Sequence, residues 1–274
     1  MARDLYFAAM TSTHTPKPGS FCWMELGTSD QSAAKKFYTD LFGWTVNDSP
    51  MGPGEFYSMF QLNGQSAAAA YTLRADQKAQ GVPSHWMLYI ATSSADQSAA
   101  KAKELGGLVL AGPFDVMDVG RMAVIQDPTG AVFCVWETKS NGGITTKGES
   151  GAFCWADLNT PNVARASDFY TKLFGWKLEK GENDSSGYLH IKNGDDYIGG
   201  VPPAEHRNPN APPHWLLYFD TENCDASVDK ARKNGANVYY GPVTMEGVGR
   251  FAVLADPQGA VFSLFQSARK ANVA

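Results

Sequence analysis

The sequence repeats itself, and this repeat constrains the fold more than any other feature. Three blocks of the first half return in the same order in the second half. They are FCWMELGTSDQSAAKKFYTDLFGW (21–44) and FCWADLNTPNVARASDFYTKLFGW (153–176), PSHWMLYI (83–90) and PPHWLLYF (212–219), and VGRMAVIQDPTGAVF (119–133) and VGRFAVLADPQGAVF (248–262). A shared order with almost constant spacing indicates a duplicated domain. The chain is therefore predicted to build one architecture twice.

The repeat also predicts the domain boundaries. A chain of 274 residues has room for roughly two domains, and the repeated blocks place them at 20–138 and 151–267. Residues 139–150, KSNGGITTKGES, are polar and glycine-rich and are predicted to form a surface linker. Residues 1–19 and 268–274 are expected to be terminal tails.

Helix signals follow the first predicted strand at 21–26. Ser29 or Asp30 can cap a helix N-terminus, and Gly43 stands where a C-terminal glycine cap belongs. Between them runs an apolar stripe at helical spacing, formed by Ala34, Phe37, Tyr38 and Leu41. The segment is therefore predicted to be a strand followed by an amphipathic helix.

Strand signals complete the module. Residues 55–62 and 65–72 predict two strands joined by the Asn63-Gly64 turn, and a second module begins with a strand at 85–91. The DPTG and DPQG segments put Asp, Pro and Gly at the first, second and fourth positions of a type I turn. Each copy is thus predicted to contain the order β-α-β-β-β twice, which makes four modules in the chain.

Composition excludes several classes of partner. The net charge is −5 and 43% of the residues are apolar, so no basic surface points to nucleic acid or to an anionic membrane. No apolar run approaches the roughly 18 residues of a spanning helix, and the N-terminus lacks the apolar region of a signal peptide. The cysteines show no zinc-ligand spacing: Cys22, Cys134, Cys154 and Cys224. We expect a cytoplasmic monomer or homodimer whose partner is a small molecule.

The motifs resemble those of a known superfamily. FYxxLFGW after the first helix and DPxGxxF before the last strand resemble the glyoxalase/bleomycin-resistance/dioxygenase (vicinal-oxygen-chelate) superfamily. The doubled form is similar to the two-domain glyoxalase-like antigens of mycobacteria. The resemblance implies an α+β fold of two tandem domains, in each of which two βαβββ modules form a curved mixed sheet with a concave pocket. It also implies that catalytic members bind a divalent metal there through His, Glu or Gln.

Other residue types occupy the positions at which the resemblance implies metal ligands. These positions are Trp23, Met87 and Cys134 in the first copy, and Trp155, Leu216 and Ser263 in the second. Indole, thioether and alkyl groups do not replace imidazole or carboxylate as ligands for such an ion. The chain is therefore expected to hold no resident cofactor, and a bound divalent metal is the alternative.

Strand alternation places polar groups beside these positions. Glu25 shares a face with Trp23, while His85 and Tyr89 share a face with Met87, and the second copy repeats the arrangement. An acid and a histidine on one face form a candidate general acid–base pair. The candidate catalytic residues are Glu25, His85, Asp157 and His214. The alternative is a buried structural hydrogen bond, or a histidine that faces water at the rim.

Further side chains are candidates for ligand binding. Arg121 and Arg250 start equivalent strands and offer guanidinium forks for a carboxylate or phosphate, the alternative being an ion pair with a turn aspartate. Cys134 is a candidate reactive thiol. The complete predicted ligand-binding set is Trp23, Tyr89, Arg121, Cys134, Trp155, Tyr218 and Arg250. Tyr57, Tyr188 and His190 are interpreted as wall packing.

Two functions fit these observations. The first is a glyoxalase/bleomycin-resistance-like protein that binds a small planar or hydrophobic metabolite or antibiotic in metal-free, aromatic-lined pockets. The second is a glyoxalase-like lyase, isomerase, hydroxylase or dioxygenase that acts on a small oxygenated substrate. The metal content of the purified protein distinguishes them.

Overall fold

The computed structural model describes residues 15–146, 148–181 and 186–268, and each copy within them forms eight strands. The first copy contains β1 (Phe21–Thr28), α1 (Gln31–Phe42), β2 (Thr45–Gly52), β3 (Glu55–Leu62), β4 (Gln65–Thr72), α2 (Ala75–Ala79), β5 (His85–Thr92), α3 (Ala95–Glu104), β6 (Leu108–Val116), β7 (Gly120–Gln126) and β8 (Val132–Thr138). The second contains β9 (Phe153–Asn159), α4 (Val163–Phe174), β10 (Lys177–Lys180), β11 (Leu189–Asn193), β12 (Asp196–Val201), a 3₁₀ turn (Ala204–His206), β13 (His214–Asp220), α5 (Cys224–Lys233), β14 (Asn237–Met245), β15 (Gly249–Ala255) and β16 (Val261–Ser267).

Each copy builds one mixed sheet of eight strands. The strand orders are β2-β3-β4-β1-β5-β8-β7-β6 and β10-β11-β12-β9-β13-β16-β15-β14. In each module the first and last strands pair in parallel, as β1 does with β4 and β5 with β8, and the hairpins between them are antiparallel. The predicted α+β fold with two tandem domains of βαβββ modules is confirmed.

The helix α1 has the capping residues and the buried apolar stripe that the sequence predicted. Asp30 accepts a hydrogen bond from the backbone N–H of Ala33 at 3.0 Å, which satisfies an otherwise unpaired helix donor. Gly43 ends the helix in the left-handed conformation at φ 71°. The predicted stripe is buried, so the helix packs through the face that the sequence indicated.

The contacts of the chain divide into two compact units, and each unit combines segments of both copies. Unit 1 contains residues 15–23, 87–143, 156–181 and 186–215. In its core the Tyr170 hydroxyl donates to Asp127 Oδ2 at 3.0 Å and accepts from the indole N–H of Trp215 at 3.1 Å. The tyrosine belongs to the second copy and the aspartate to the first.

Unit 2 contains residues 24–86, 144–155 except 147, and 216–268. Its core repeats the same three-residue arrangement with the copies exchanged. The Tyr38 hydroxyl donates to Asp256 Oδ2 at 3.0 Å and accepts from the Trp86 indole N–H at 2.9 Å. Burial, together with the nearby Asp256 carboxylate, raises the pKa of Tyr38, so this phenol stays protonated.

Part of the segment 139–150, which was predicted to be a surface linker, is buried. Gly143 has φ 102° and lies against the Cys22 carbonyl so closely that a Cβ would overlap it. The backbone N–H of Thr145 donates to the Ser66 carbonyl at 3.0 Å, and Thr146 is fully buried. A polar, glycine-rich composition therefore reflected close backbone packing here rather than solvent exposure.

Candidate functional site

The first candidate surface, called the Glu25 face, lies in unit 2 and consists of Glu25, Tyr57, Tyr71 and His85. Pairing between β3 and β4 sets Tyr57 opposite Tyr71, and β1 lies on the other side of β4, with Glu25 beside Ala69. The Tyr57 hydroxyl donates to Glu25 Oε1 at 2.7 Å, and both side chains are half-buried. The register therefore builds a carboxylate–phenol pair on the sheet surface.

Gly27 brings the histidine of this face next to a second phenol. A Cβ at residue 27 would lie 3.0 Å from His85 Cε1 and 3.0 Å from the Tyr71 hydroxyl oxygen. Both groups thus cover the same point of β1, on the face that Glu25 shares by alternation. Glu25 and His85 lie on one face, and each has its own hydrogen-bond partner.

The two candidate histidines have matching environments. His85 Nδ1 lies 2.8 Å from the Pro83 carbonyl oxygen, and His214 Nδ1 lies 2.8 Å from that of Pro212. A carbonyl only accepts, so Nδ1 carries the proton and Nε2 of the neutral ring carries the lone pair. Burial lowers the pKa of both histidines, against a smaller opposing effect of the carbonyl bond.

These lowered pKa values predict a stability loss in mild acid. Between an unfolded pKa of about 6.5 and the lower folded value, the unfolded chain binds more protons than the folded one. The free energy of unfolding therefore decreases as the pH is lowered through that interval. We expect a loss of up to about 1 kcal/mol per histidine between pH 7.5 and pH 5.5. Urea unfolding of the natural protein and the His85→Gln/His214→Gln variant measures it. Equal pH dependence in both proteins would contradict the prediction.

The equivalent surface of the second copy, called the Asp157 face, lies in unit 1 and consists of Asp157, Tyr188 and His190. The Tyr188 hydroxyl donates to Asp157 Oδ1 at 2.5 Å. The ring of His190 packs edge-on against Tyr188 with centroids 5.0 Å apart. Asp157 is only 6% exposed, so this carboxylate is covered. His214 also lies in unit 1, with Nδ1 on Pro212.

Unit 1 also contains the Tyr89 face, which consists of Tyr89, Met122, Cys134 and Trp136. Tyr89 pairs with Cys134 across parallel strands, and its ring lies 6.3 Å from that of Trp136. The Tyr89 hydroxyl contacts the Met122 sulfur at 4.0 Å. Trp23, also in unit 1, is 5% exposed. The predicted binding residues Tyr89 and Cys134 therefore adjoin one another in apolar, aromatic surroundings, but they are buried, with exposed fractions of 4% and 1%.

Unit 2 contains the corresponding Tyr218 face, which consists of Tyr218, Tyr240, Phe251 and Ser263. Tyr218 pairs with Ser263, and Phe251 stacks at an angle between Tyr218 and Tyr240, with centroids 6.3 and 5.8 Å away. Trp155 is half-buried in the same unit. Aromatic rings dominate here, as they do on the Tyr89 face.

Both predicted arginine forks hold acidic side chains. Arg121 contacts both carboxylate oxygens of Asp96 at 2.7 and 3.0 Å, and Asp115 at 3.2 Å. Arg250 contacts those of Asp225 at 2.7 and 2.8 Å. Hydrogen bonding to the arginines lowers the pKa of Asp96 and of Asp225. These acids lie in the first turns of α3 and α5, so the ion pairs join a strand to a helix rather than to a turn.

The thiols are not connected by disulfide bonds in the described part of the chain. Cys134 is 1% exposed, and Cys22 Sγ approaches the Tyr89 carbonyl oxygen at 3.5 Å. Burial raises the pKa of the Cys22 thiol far above its ordinary value. Burial, with a contribution from Asp225, raises that of Cys224 to about 11. A thiol in such surroundings stays protonated near neutral pH.

The residues present do not fit the metal that the fold suggests. Within 15–146, 148–181 and 186–268, no three His, Cys, Asp or Glu side chains approach closely enough to hold an ion. Glu25 and Asp157 accept hydrogen bonds from tyrosines. The Nδ1 atoms of His85 and His214 are hydrogen-bonded to backbone carbonyl oxygens. This donor set lacks the convergent ligands of an open catalytic centre.

Sequence reasoning missed the two carboxylate–phenol pairs. Tyr57 and Tyr188 were interpreted as wall packing, whereas each donates to the acid of its face. The Asn63-Gly64 turn alone would have set Phe56 opposite Tyr71. A bulge between Phe60 and Gln61 shifts the register by one residue, so Tyr57 lies there instead. The effect of Gly27, which leaves room for two neighbouring side chains, had no local signal.

The comparisons with known proteins agree with this architecture. Residues 20–135 and 153–264 match the model of the Glyoxalase/Bleomycin resistance protein/Dioxygenase superfamily, and the chain belongs to that superfamily. It is 40% identical to the Mycobacterium tuberculosis protein named "Putative glyoxylase CFP32", over 92% of this chain and 96% of the relative. It is 34% identical to the anthracycline biosynthesis protein DnrV of Streptomyces peucetius, over 91% of this chain and 94% of that relative.

Solved structures share the fold. The Mn(II)-bound glyoxalase from Novosphingobium aromaticivorans superposes with a TM-score of 0.64 at 16% identity, covering 91% of this chain and 82% of the glyoxalase. The 2,3-dioxygenase LapB from Pseudomonas sp. KL28 superposes with a TM-score of 0.64 at 14% identity, covering 93% of this chain and 94% of the dioxygenase. Among the helices of the described residues, none is both long and apolar enough to span a bilayer.

Proposed function

We propose that this protein binds a small planar or hydrophobic molecule on metal-free, aromatic-lined surfaces. One observation carries the proposal: the positions that would hold the superfamily metal carry indole, thioether, thiol, alkyl and hydroxyl groups. They are Trp23, Met87, Cys134, Trp155, Leu216 and Ser263. Such groups favour flat apolar ligands over cations.

The aromatic faces support this proposal from the geometry. In unit 2, Phe251 lies between Tyr218 and Tyr240, and Tyr240 is 54% exposed. In unit 1, Tyr89 and Trp136 also approach one another, but both are buried. Few polar groups accompany these rings, as is typical of sites for planar ligands. The relatives named for anthracycline biosynthesis suggest a polycyclic aromatic ligand, and an anthraquinone is the simplest matching probe.

Metal removal tests the proposal. We expect 2-ethylanthraquinone to quench tryptophan fluorescence with the same dissociation constant before and after exhaustive dialysis against a chelator, because no ion takes part in binding. Mass spectrometry of the purified protein should find metal well below one ion per chain. Absence of binding, or near-stoichiometric nickel, zinc, iron or manganese whose removal abolishes binding, would overturn it.

The enzymatic alternative has one specific feature in its favour. His85 is neutral with its proton on Nδ1, so Nε2 is available as a base on the face that also holds Tyr71 and Glu25. Such a base suits a lyase or isomerase acting on a small oxygenated substrate. Turnover of methylglyoxal with glutathione that disappears in the His85→Gln variant would support this second function.

A further inference from the structure

The two aromatic faces stand at equivalent positions of the repeat, but they differ in access and in side chains. We propose that only the Tyr218 face binds ligand, at one molecule per chain, and that the ligand is a fused polycyclic aromatic that contacts Tyr240 and Phe251. This inference rests on the proposed binding function and names the face and the ligand class. The Tyr89 face has a structural role instead.

The Tyr89 face is filled by its own side chains, all four of which are buried. The ring of Trp136 lies on Gly120, where any Cβ would overlap it. The Trp136 indole N–H donates to the Asn141 carbonyl at 2.9 Å, which fixes the ring in place. A planar molecule could reach Tyr89 only by displacing a packed core residue, and a close-packed core resists such a change.

The Tyr218 face is accessible from solvent. Tyr240 is more than half exposed, while Tyr218 and Phe251 are half-buried. Trp136 of the first copy corresponds to Phe265 in the repeat, and this smaller ring, which has no N–H to anchor it, is also half-buried. A ligand can therefore contact aromatic surface here without displacing a core side chain.

Two substitutions between the copies produce this difference. Tyr240 corresponds to Ala111 of the first copy, and Phe251 corresponds to Met122. The second copy thus carries a ring at both positions, and the Tyr240 ring is largely in solvent. Aromatic rings that are exposed beside one another, rather than singly, are typical of a binding surface.

The size of this face fits a small molecule rather than a second chain. A fully buried aromatic side chain removes about 150–250 Å² from solvent, and two of the three rings are already half-buried. Their remaining surface is well below the roughly 800 Å² per partner that a stable protein interface needs.

The ring geometry defines the ligand class. The centroid of Phe251 lies 5.8 Å from that of Tyr240, and the two ring planes are inclined by 39°. A single six-membered ring can stack on only one of them, whereas a rigid system of two or three fused rings can stack on Tyr240 and meet Phe251 at an angle. Offset and tilted contacts are both favourable between aromatic rings. The face therefore favours fused polycyclic aromatics over single-ring molecules.

Two probes and three single variants test the inference by equilibrium dialysis of the full chain. The probes are 2-ethylanthraquinone, a fused polycyclic aromatic, and 4-ethylacetophenone, a single-ring molecule. We expect one anthraquinone per chain, bound at least about tenfold more tightly than the acetophenone. Tyr240→Ala and Phe251→Met each restore the first-copy residue and should weaken anthraquinone binding about tenfold. Tyr239→Ala is the matched control, because it removes a phenol that is 63% exposed on the same strand, and it should leave the affinity unchanged.

The stoichiometry and the variants separate failure of this inference from failure of the binding function. Two anthraquinones per chain, equal affinity for both probes, unchanged anthraquinone affinity in Tyr240→Ala and Phe251→Met, or an equal loss in Tyr239→Ala would overturn the inference while the binding function stands. Light scattering gives a further check, since a natural dimer that Tyr240→Ala converts to a monomer would show that a second chain covers the face and would also overturn it. If neither probe binds, the proposed function fails and this inference with it.

Discussion

Replacing Asp127 with alanine is expected to lower the free energy of unfolding by about 3–5 kcal/mol. Asp127 is 3% exposed. Its Oδ1 accepts from the backbone N–H groups of Thr129, Gly130 and Ala131 and from the Thr129 hydroxyl, and its Oδ2 accepts from Tyr170. Alanine leaves these donors without their acceptor, and buried unpaired donors are costly. Urea unfolding monitored by circular dichroism measures the change.

Two milder variants divide this loss between the turn and the tyrosine. Asp127→Asn keeps an oxygen for the turn donors, and Tyr170→Phe keeps the turn intact but leaves Asp127 Oδ2 and the Trp215 indole without the hydroxyl. Each is expected to cost about 1–3 kcal/mol. Asp256→Ala and Tyr38→Phe repeat the experiment in unit 2, where Asp256 accepts from Tyr38 and from the backbone N–H groups of Gln258 and Ala260.

The control for these variants is an exposed acid of the same unit. Asp168 pairs with Lys172 one turn along α4 at 2.7 Å, with both side chains largely in solvent. Asp168→Ala should change the free energy of unfolding by no more than about 0.5 kcal/mol. A loss in Asp127→Ala that is no larger than this would show that the buried carboxylate does not support the core.

Local chemistry made most of the fold predictable. Asp30, the apolar stripe and Gly43 bound α1 because caps and periodicity act within a few residues. The Asn63-Gly64 turn likewise joins β3 to β4, although a bulge between Phe60 and Gln61 then shifts their register by one residue. The strand β2 and the short helix α2 had no comparable signal: β2 is mostly exposed, and α2 buries no residue.

The pairing of the tyrosines with the aspartates could not be read from the sequence. Tyr38 has two equivalent candidates, Asp127 and Asp256, because the DPxG motif occurs in both copies. Local propensity is identical for the two choices, and only tertiary packing selects Asp256. The same limit applies to the site: alternation placed Glu25 and His85 on one face, but the cross-strand register decides that Tyr57 reaches the acid.

A fragment of residues 20–138 is expected to be unfolded as a monomer, which is the largest effect that the structure predicts. In unit 1 the ring of Phe133 packs on Phe169, Tyr170 and Phe174 of the second copy, with centroids 5.5 to 6.3 Å away. Losing these neighbours exposes buried aromatic surface worth about 1.5–3 kcal/mol per ring.

Unit 2 loses as much in the same fragment. Tyr38 packs on Phe262, Phe42 and Trp86 pack on Phe219, and Asp256 accepts from the Tyr38 hydroxyl. A fragment that ends at residue 138 lacks every second-copy partner. The combined loss is comparable to the net stability of about 5–15 kcal/mol that holds an ordinary domain together, so no monomeric native state should remain.

The concentration dependence of folding distinguishes the loss of second-copy partners from a fragment that cannot fold at all. Because both copies carry the tyrosine and the DPxG aspartate, two fragments can pair reciprocally, with Tyr38 of each on Asp127 of the other. Light scattering and near-ultraviolet circular dichroism should show an unfolded monomer at low concentration and a folded dimer at high concentration. Adding residues 139–274 should restore structure at lower concentration. A folded monomeric fragment with a cooperative unfolding transition would show that each copy has a sufficient core of its own.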